Sequence, residues 1–139
     1  MHRLLMLLAL VAPLSAARAQ EQPGLTVAAE RAREAWSAHD APGLVADSPR
    51  LLIQLPGTDP SVALGPEQAA ALLADFLAAA QEVETAVRAS REVEPGRGYV
   101  ELERRYRVAG TQEIRTQSLL LGYRQSRTGW RLVELRVVD

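Results

Sequence analysis

The pattern of apolar and polar positions changes character twice along this chain. A basic start, Met1-His2-Arg3, precedes an apolar run from Leu4 to Leu14 that only Pro13 interrupts. Those eleven residues wound as a helix would cover roughly 17 Å against a bilayer core of about 30 Å, too little for a permanent span. Ala17-Arg18-Ala19 then supplies the small-x-small pattern that a signal peptidase reads. The pattern predicts a cleaved signal peptide over 1–19 and one domain over 20–139. About 120 residues suffice to bury roughly two thirds of the unfolded surface around one core.

The next stretch has the helical period. Ala28, Ala32, Ala35, Trp36 and His39 fall on one stripe, with Glu30, Arg31, Arg33 and Glu34 opposite, which predicts a helix over Leu25–His39. Asp40-Ala41-Pro42-Gly43 is a break and restart, with Asp40 as N-cap of a short second helix over 43–47. Arg50 to Leu55 reads as a short strand ended by Pro56-Gly57. Gly65-Pro66-Glu67 opens the clearest helix, because Pro suits a first turn and an acid suits the positive helix end. Its stripe is Ala69, Leu72, Leu73, Phe76, Leu77 and Ala80.

Beyond this helix the period drops to two. Val83, Thr85, Val87 and Ala89 alternate with polar residues, as do Val100, Leu102, Tyr106 and Val108. Ile114–Tyr123 and Trp130–Val138 complete four long strands joined by short turns at Pro95-Gly96, Gly110 and Ser126–Gly129. Such a run predicts an antiparallel meander with helices on one face. The fold class is therefore α+β, with two to three N-terminal helices on a curved four-to-five-stranded sheet.

Composition narrows the function classes. There is no cysteine, which excludes disulfides, a lipid-modified cysteine and thiolate metal ligation. All sixteen basic residues are arginine. From Gln20 to Gly96 five arginines face twelve acids, whereas from Arg97 onward nine arginines face five. Acidic helices on an arginine-bearing sheet would produce this asymmetry, and so would a sheet face that attracts anions. The acidic mature chain has no basic stripe interleaved with aromatics, so no nucleic-acid partner is expected. No membrane association is expected once the signal peptide is removed.

The order of helix, short helix, short strand, helix and four long strands resembles the nuclear transport factor 2-like superfamily, the α+β cone shared with SnoaL-like proteins and related to the cystatin-like fold. The residues carrying the resemblance are Trp36-Ser37-Ala38-His39-Asp40, Leu44 and Val45, and the closing Trp130-Arg131-Leu132-Val133-Glu134-Leu135. It covers roughly Leu25 to Val138 and is nearest to small secreted members without an assigned activity. The resemblance implies a cone whose interior hosts either catalysis or binding.

Candidate chemistry is sparse. Enzymes on this scaffold set an acid or base inside the cone. Here 20–139 holds one histidine, His39, and neighbouring helical residues such as His39 and Asp40 point about 100° apart. Asp40 is assigned a structural cap, His39 a place at the helix end, and no residue a catalytic or metal-binding role; no cofactor is implied. Arg104 stands out because it shares a strand face with Val100, Leu102, Tyr106 and Val108. A buried guanidinium needs a partner. Glu134, on one parity with Trp130, Leu132 and Arg136, is a candidate, as is an acidic ligand met bidentately. Trp36, Phe76, Arg104, Tyr106, Tyr123 and Trp130 are the pocket candidates; the aromatics among them suit a packed core equally well.

Three functions follow as expectations. The first is an exported, non-enzymatic binding or accessory module of the bacterial periplasm or extracellular medium, holding a small apolar or anionic ligand. The second is a homodimer formed through the sheet face, since Leu119, Leu121 and Tyr123 alternate with Leu120 and Gly122. The third is an enzyme of isomerase or cyclase type.

Overall fold

A computed structural model describes residues 24–139; the expected signal peptide lies outside the described residues. The elements are α1 (Leu25–Ser37), α2 (Ala41–Val45), β1 (Leu52–Gln54), α3 (Pro66–Ala78), β2 (Ala80–Glu94), β3 (Arg97–Val108), β4 (Ile114–Ser126) and β5 (Gly129–Val138). The sheet order is β1-β5-β4-β3-β2, with β1 parallel to β5 and every other pairing antiparallel. Three helices thus cover one face of a curved, unclosed sheet, as the alternation predicts.

The helix boundaries have local causes. α1 stops at Ser37, two residues before the expected end, because His39 adopts the left-handed region at φ 53°. His39 N–H donates to Trp36 O and Asp40 N–H to Ala35 O, the paired bonds of a Schellman cap. Glycine usually fills that position, so a histidine there carries a conformational cost. Asp40 is the N-cap of α2, its carboxylate accepting from Gly43 N–H at 3.0 Å. The cap sits so close that a Cβ at Gly43 would collide with the Asp40 carboxylate.

The buried strips agree with the expected faces with small rotations. α1 buries Ala29, Ala32 and Trp36, with Ala28 and Ala35 only half-buried. α3 buries Ala69, Leu73 and Leu77, and Ala80 starts β2 instead of extending the helix. On the sheet, Val100, Leu102, Leu119, Leu121, Leu135 and Val137 meet these helices in one core.

Two strands depart from simple alternation. In β2 the pairing steps from Glu82↔Tyr106 to Glu84↔Arg105, which leaves Val83 as the extra residue of a bulge. Glu82 and Thr85 therefore both point inward, and Val83 is 44% exposed. In β5 the pairing steps from Glu134↔Gly122 to Leu132↔Tyr123, so Val133 is the extra residue. Leu132, Leu135 and Val137 are buried while Glu134 lies on the outer face. The expected common face of Trp130, Leu132, Glu134 and Arg136 does not exist, and Glu134 is not the partner of Arg104.

Candidate functional site

β3 carries Val100, Leu102, Arg104 and Tyr106 on its inner face, so Arg104 enters the core by strand parity. It is 1% exposed. Its Nη2 and Nε donate to the two oxygens of the Glu82 carboxylate, the Nε bond measuring 3.3 Å. Its Nη1 donates to Gln117 Oε1 at 3.3 Å, and Gln117 Nε2 in turn donates to Asp139 Oδ1 at 2.7 Å. From the other side, His39 Nε2 lies 3.1 Å from Glu82 Oε1, in reach because of its left-handed backbone. A polar chain of His39, Glu82, Arg104, Gln117 and Asp139 thus crosses the inner face of the sheet.

Aromatic rings enclose the guanidinium. Its Cζ lies 4.1 Å from the Tyr106 ring centroid, 5.1 Å from Trp36 and 5.7 Å from Phe76. Trp36 and Phe76 themselves meet at 6.3 Å and 55°. Planar cations stack favourably on such faces. Burial pulls the Arg104 guanidinium below its ordinary range, and the Glu82 carboxylate opposes that shift by charge and hydrogen bonding. Two atoms beside this centre stay unsatisfied: Trp36 Nε1 and Thr85 Oγ1, on the cross-strand neighbour of Arg104.

The six pocket candidates therefore divide into two groups. Trp36, Phe76, Arg104 and Tyr106 form this closed centre, where the arginine's donors are met from within. Tyr123 and Trp130 stand at the opposite end of the inner face, beside a cavity of about 90 Å³ between α1, α2 and the sheet. Arg31, Leu44, Asp47 and Ser48 complete its polar and apolar walls with Leu132. Tyr123 is 6% exposed, and burial raises its phenol far above the ordinary value, so it remains an O–H. Sequence reasoning missed Glu82, Gln117 and the contact of His39. The only signal for Glu82 was an acid at the start of a strand, and an unseen bulge hid its direction.

The outer sheet face is mixed. Leu52 and Val93 are 42% and 50% exposed, and with Tyr99 and Val133 they line a hollow of about 330 Å³. Arg97, Arg124 and Glu134 also border it. Several sheet arginines meet acids from the first half of the chain, as in Arg105–Glu84 at 3.6 Å and Arg97–Glu94 at 3.4 Å. The two halves thereby partly neutralise one another. Among the described residues no cluster of potential metal ligands occurs, and no helix is long and apolar enough to cross a membrane.

No family model and no curated protein matches the sequence. Solved structures do match the fold. A ketosteroid isomerase-like protein from Erwinia carotovora superposes with a TM-score of 0.66 at 16% identity, covering 81% of this chain and 91% of the other. A DUF4783 family protein from Bacteroides ovatus gives 0.63 at 9% identity over 77% and 90%. A domain of unknown function with a cystatin-like fold, from Nostoc punctiforme, gives 0.62 at 19% identity over 89% and 75%. Identities this low establish architecture and leave activity open. The chain has the nuclear transport factor 2-like fold.

Proposed function

We propose that this chain is an exported, non-enzymatic binding or accessory module whose cone receives a small ligand in the cavity beside Tyr123 and Trp130. The observation that carries this is the contrast between the two ends of the inner face. At the Arg104 end the guanidinium is paired with Glu82 and has the rings of Trp36, Phe76 and Tyr106 against it. At the other end a cavity of about 90 Å³ is left, several times the roughly 10–15 Å³ that admits one water. Its walls combine an indole, a phenol and aliphatic side chains with an arginine, the mixture typical of small-ligand sites. An anionic group would face Arg31, with the apolar part of the ligand against Leu44 and Leu132. The apolar run before Ala17-Arg18-Ala19 supports export to a periplasm or the medium.

Native mass spectrometry of the exported chain tests both halves of this reading. The expected spectrum has the mass of residues 20–139 plus a small adduct. Trp130→Ala should reduce the adduct at least tenfold while circular dichroism stays unchanged. A bare mass in the parent counts against the ligand, and retention of residues 1–19 counts against export.

A second reading is favoured by the outer face. Leu52, Val93, Tyr99 and Val133 form an apolar floor, with Arg97 and Arg124 beside it and Glu134 across it. A two-fold axis over this hollow would set the arginines of each copy against Glu134 of the other, an isologous and self-complementary contact. Homodimerisation through the sheet is the corresponding proposal. Leu120 points outward on β4, between Glu101 and Arg136. Light scattering should give twice the chain mass for the parent and the chain mass for Leu120→Glu. A monomeric parent at tens of micromolar would remove the interface.

A further inference from the structure

We infer that the ligand of the Tyr123–Trp130 cavity is a small zwitterion, with a carboxylate and an ammonium a few bonds apart, of the α-amino acid kind. This rests on the proposed pocket and names its ligand class.

Two opposite charges line the cavity from different elements: Arg31 from the middle of α1 and Asp47 from just beyond α2. Among the described residues neither makes an ion pair or a side-chain hydrogen bond. The local contrast is informative. Two residues on, Arg33 pairs with Glu30 at 2.6 Å and lies 3.9 Å from Glu34. Arg31 and Asp47 are both exposed and both border the cavity.

Neutral hydrogen-bonding groups sit deeper. Ser48 is 2% exposed and Tyr123 6% exposed, and both line the cavity. Among the described residues no side-chain hydrogen bond ties either hydroxyl down, and neither is one of the fully buried unpartnered atoms, which are Trp36 Nε1, Thr85 Oγ1, Ser90 Oγ and Arg107 Nε. Both hydroxyls can donate to a carboxylate or accept from an ammonium. Two hydroxyls on nine-tenths-buried residues are thus open to the cavity, where water or a polar ligand group can meet them.

The charge pattern selects among polar ligands. A plain carboxylate would gain Arg31 and be repelled by Asp47. A plain ammonium would gain Asp47 and be repelled by Arg31. A zwitterion satisfies both, with the guanidinium meeting the carboxylate and the Asp47 carboxylate accepting from the ammonium. Ala28, Ala32 and Leu44 leave room for a short aliphatic side chain.

The test is an NMR titration of the folded exported chain with L-alanine, glycine, acetate and ethylammonium, each at equal ionic strength. Alanine or glycine should shift the Trp130 indole and Ser48 amide signals with a Kd at least tenfold below those of acetate and ethylammonium. Asp47→Asn should abolish the preference over acetate, and Arg31→Gln the preference over ethylammonium. Acetate binding as tightly as alanine would overturn the zwitterion while leaving the pocket. Shifts confined to the outer-face arginines would also overturn it. If none of the four probes moves a cavity signal and the native spectrum carries no adduct, the pocket falls as well.

Discussion

Glu82→Ala is expected to lower the stability of the fold by about 3–5 kcal/mol, because it leaves a buried guanidinium without a counter-charge. Arg104 is 1% exposed, and among the described residues its only carboxylate partner is Glu82, itself 5% exposed at the side chain. Water cannot replace the lost carboxylate without opening the packing of Trp36, Phe76 and Tyr106 around the cation. Domains of this size are stable by roughly 5–15 kcal/mol in total, so the variant should unfold at much lower urea. Glu82→Gln keeps the volume and one acceptor and should lose less. The double variant Glu82→Leu/Arg104→Met should recover most of the loss, since an apolar pair of similar size can replace a buried ion pair. Urea unfolding of all four chains measures this. A Glu82→Ala chain within 1 kcal/mol of the parent would mean that Arg104 is solvated in solution.

Trp36→Ala should cost a similar amount, about 3–5 kcal/mol, while Trp36→Phe should stay within about 1.5 kcal/mol of the parent. The difference comes from the indole N–H. Trp36 is 1% exposed, and its Nε1 has no hydrogen-bond partner among the described residues. Leaving such a donor buried costs about 1–3 kcal/mol. Phenylalanine removes that donor while keeping a ring over Arg104 and against Phe76, which offsets much of the lost volume. Alanine loses the ring and leaves a cavity next to a charged group. Thermal or urea unfolding distinguishes them, and equal losses for both variants would refute the idea that the indole N–H is a liability.

The closed centre also explains the strained His39. Its φ of 53° closes the Schellman cap, and the same turn brings its ring to Glu82. Local sequence placed the helix end here, through Asp40-Ala41-Pro42-Gly43, and identified Asp40 as the cap. It offered no way to see that the residue before the cap would reach a strand 43 positions later. That contact depends on how α1 lies across β2, which no local period encodes.

Parity was reliable where strands run without interruption. Val100, Leu102, Arg104 and Tyr106 share the inner face of β3 as their spacing of two requires, so the buried arginine could be identified from the residues alone. Parity failed at Val83 and Val133, where one extra residue flips the faces that follow. One bulge turned Glu82 inward and the other turned Glu134 outward, exchanging the partner of Arg104. A bulge leaves no compositional mark, because its cause is the fit of neighbouring strands and the bending of the sheet around the helices.

Sequence alone determined the element order, the apolar faces, the turns at glycine and proline, and the presence of a charged residue in the core. Those features follow from local backbone preferences and from periods of 3.6 and 2. Tertiary structure decided which carboxylate neutralises that charge, which rings stack around it, and which side chains of α1, α2 and the sheet border a common cavity. Each of these depends on distances between residues far apart in the chain, set by helix placement and strand register.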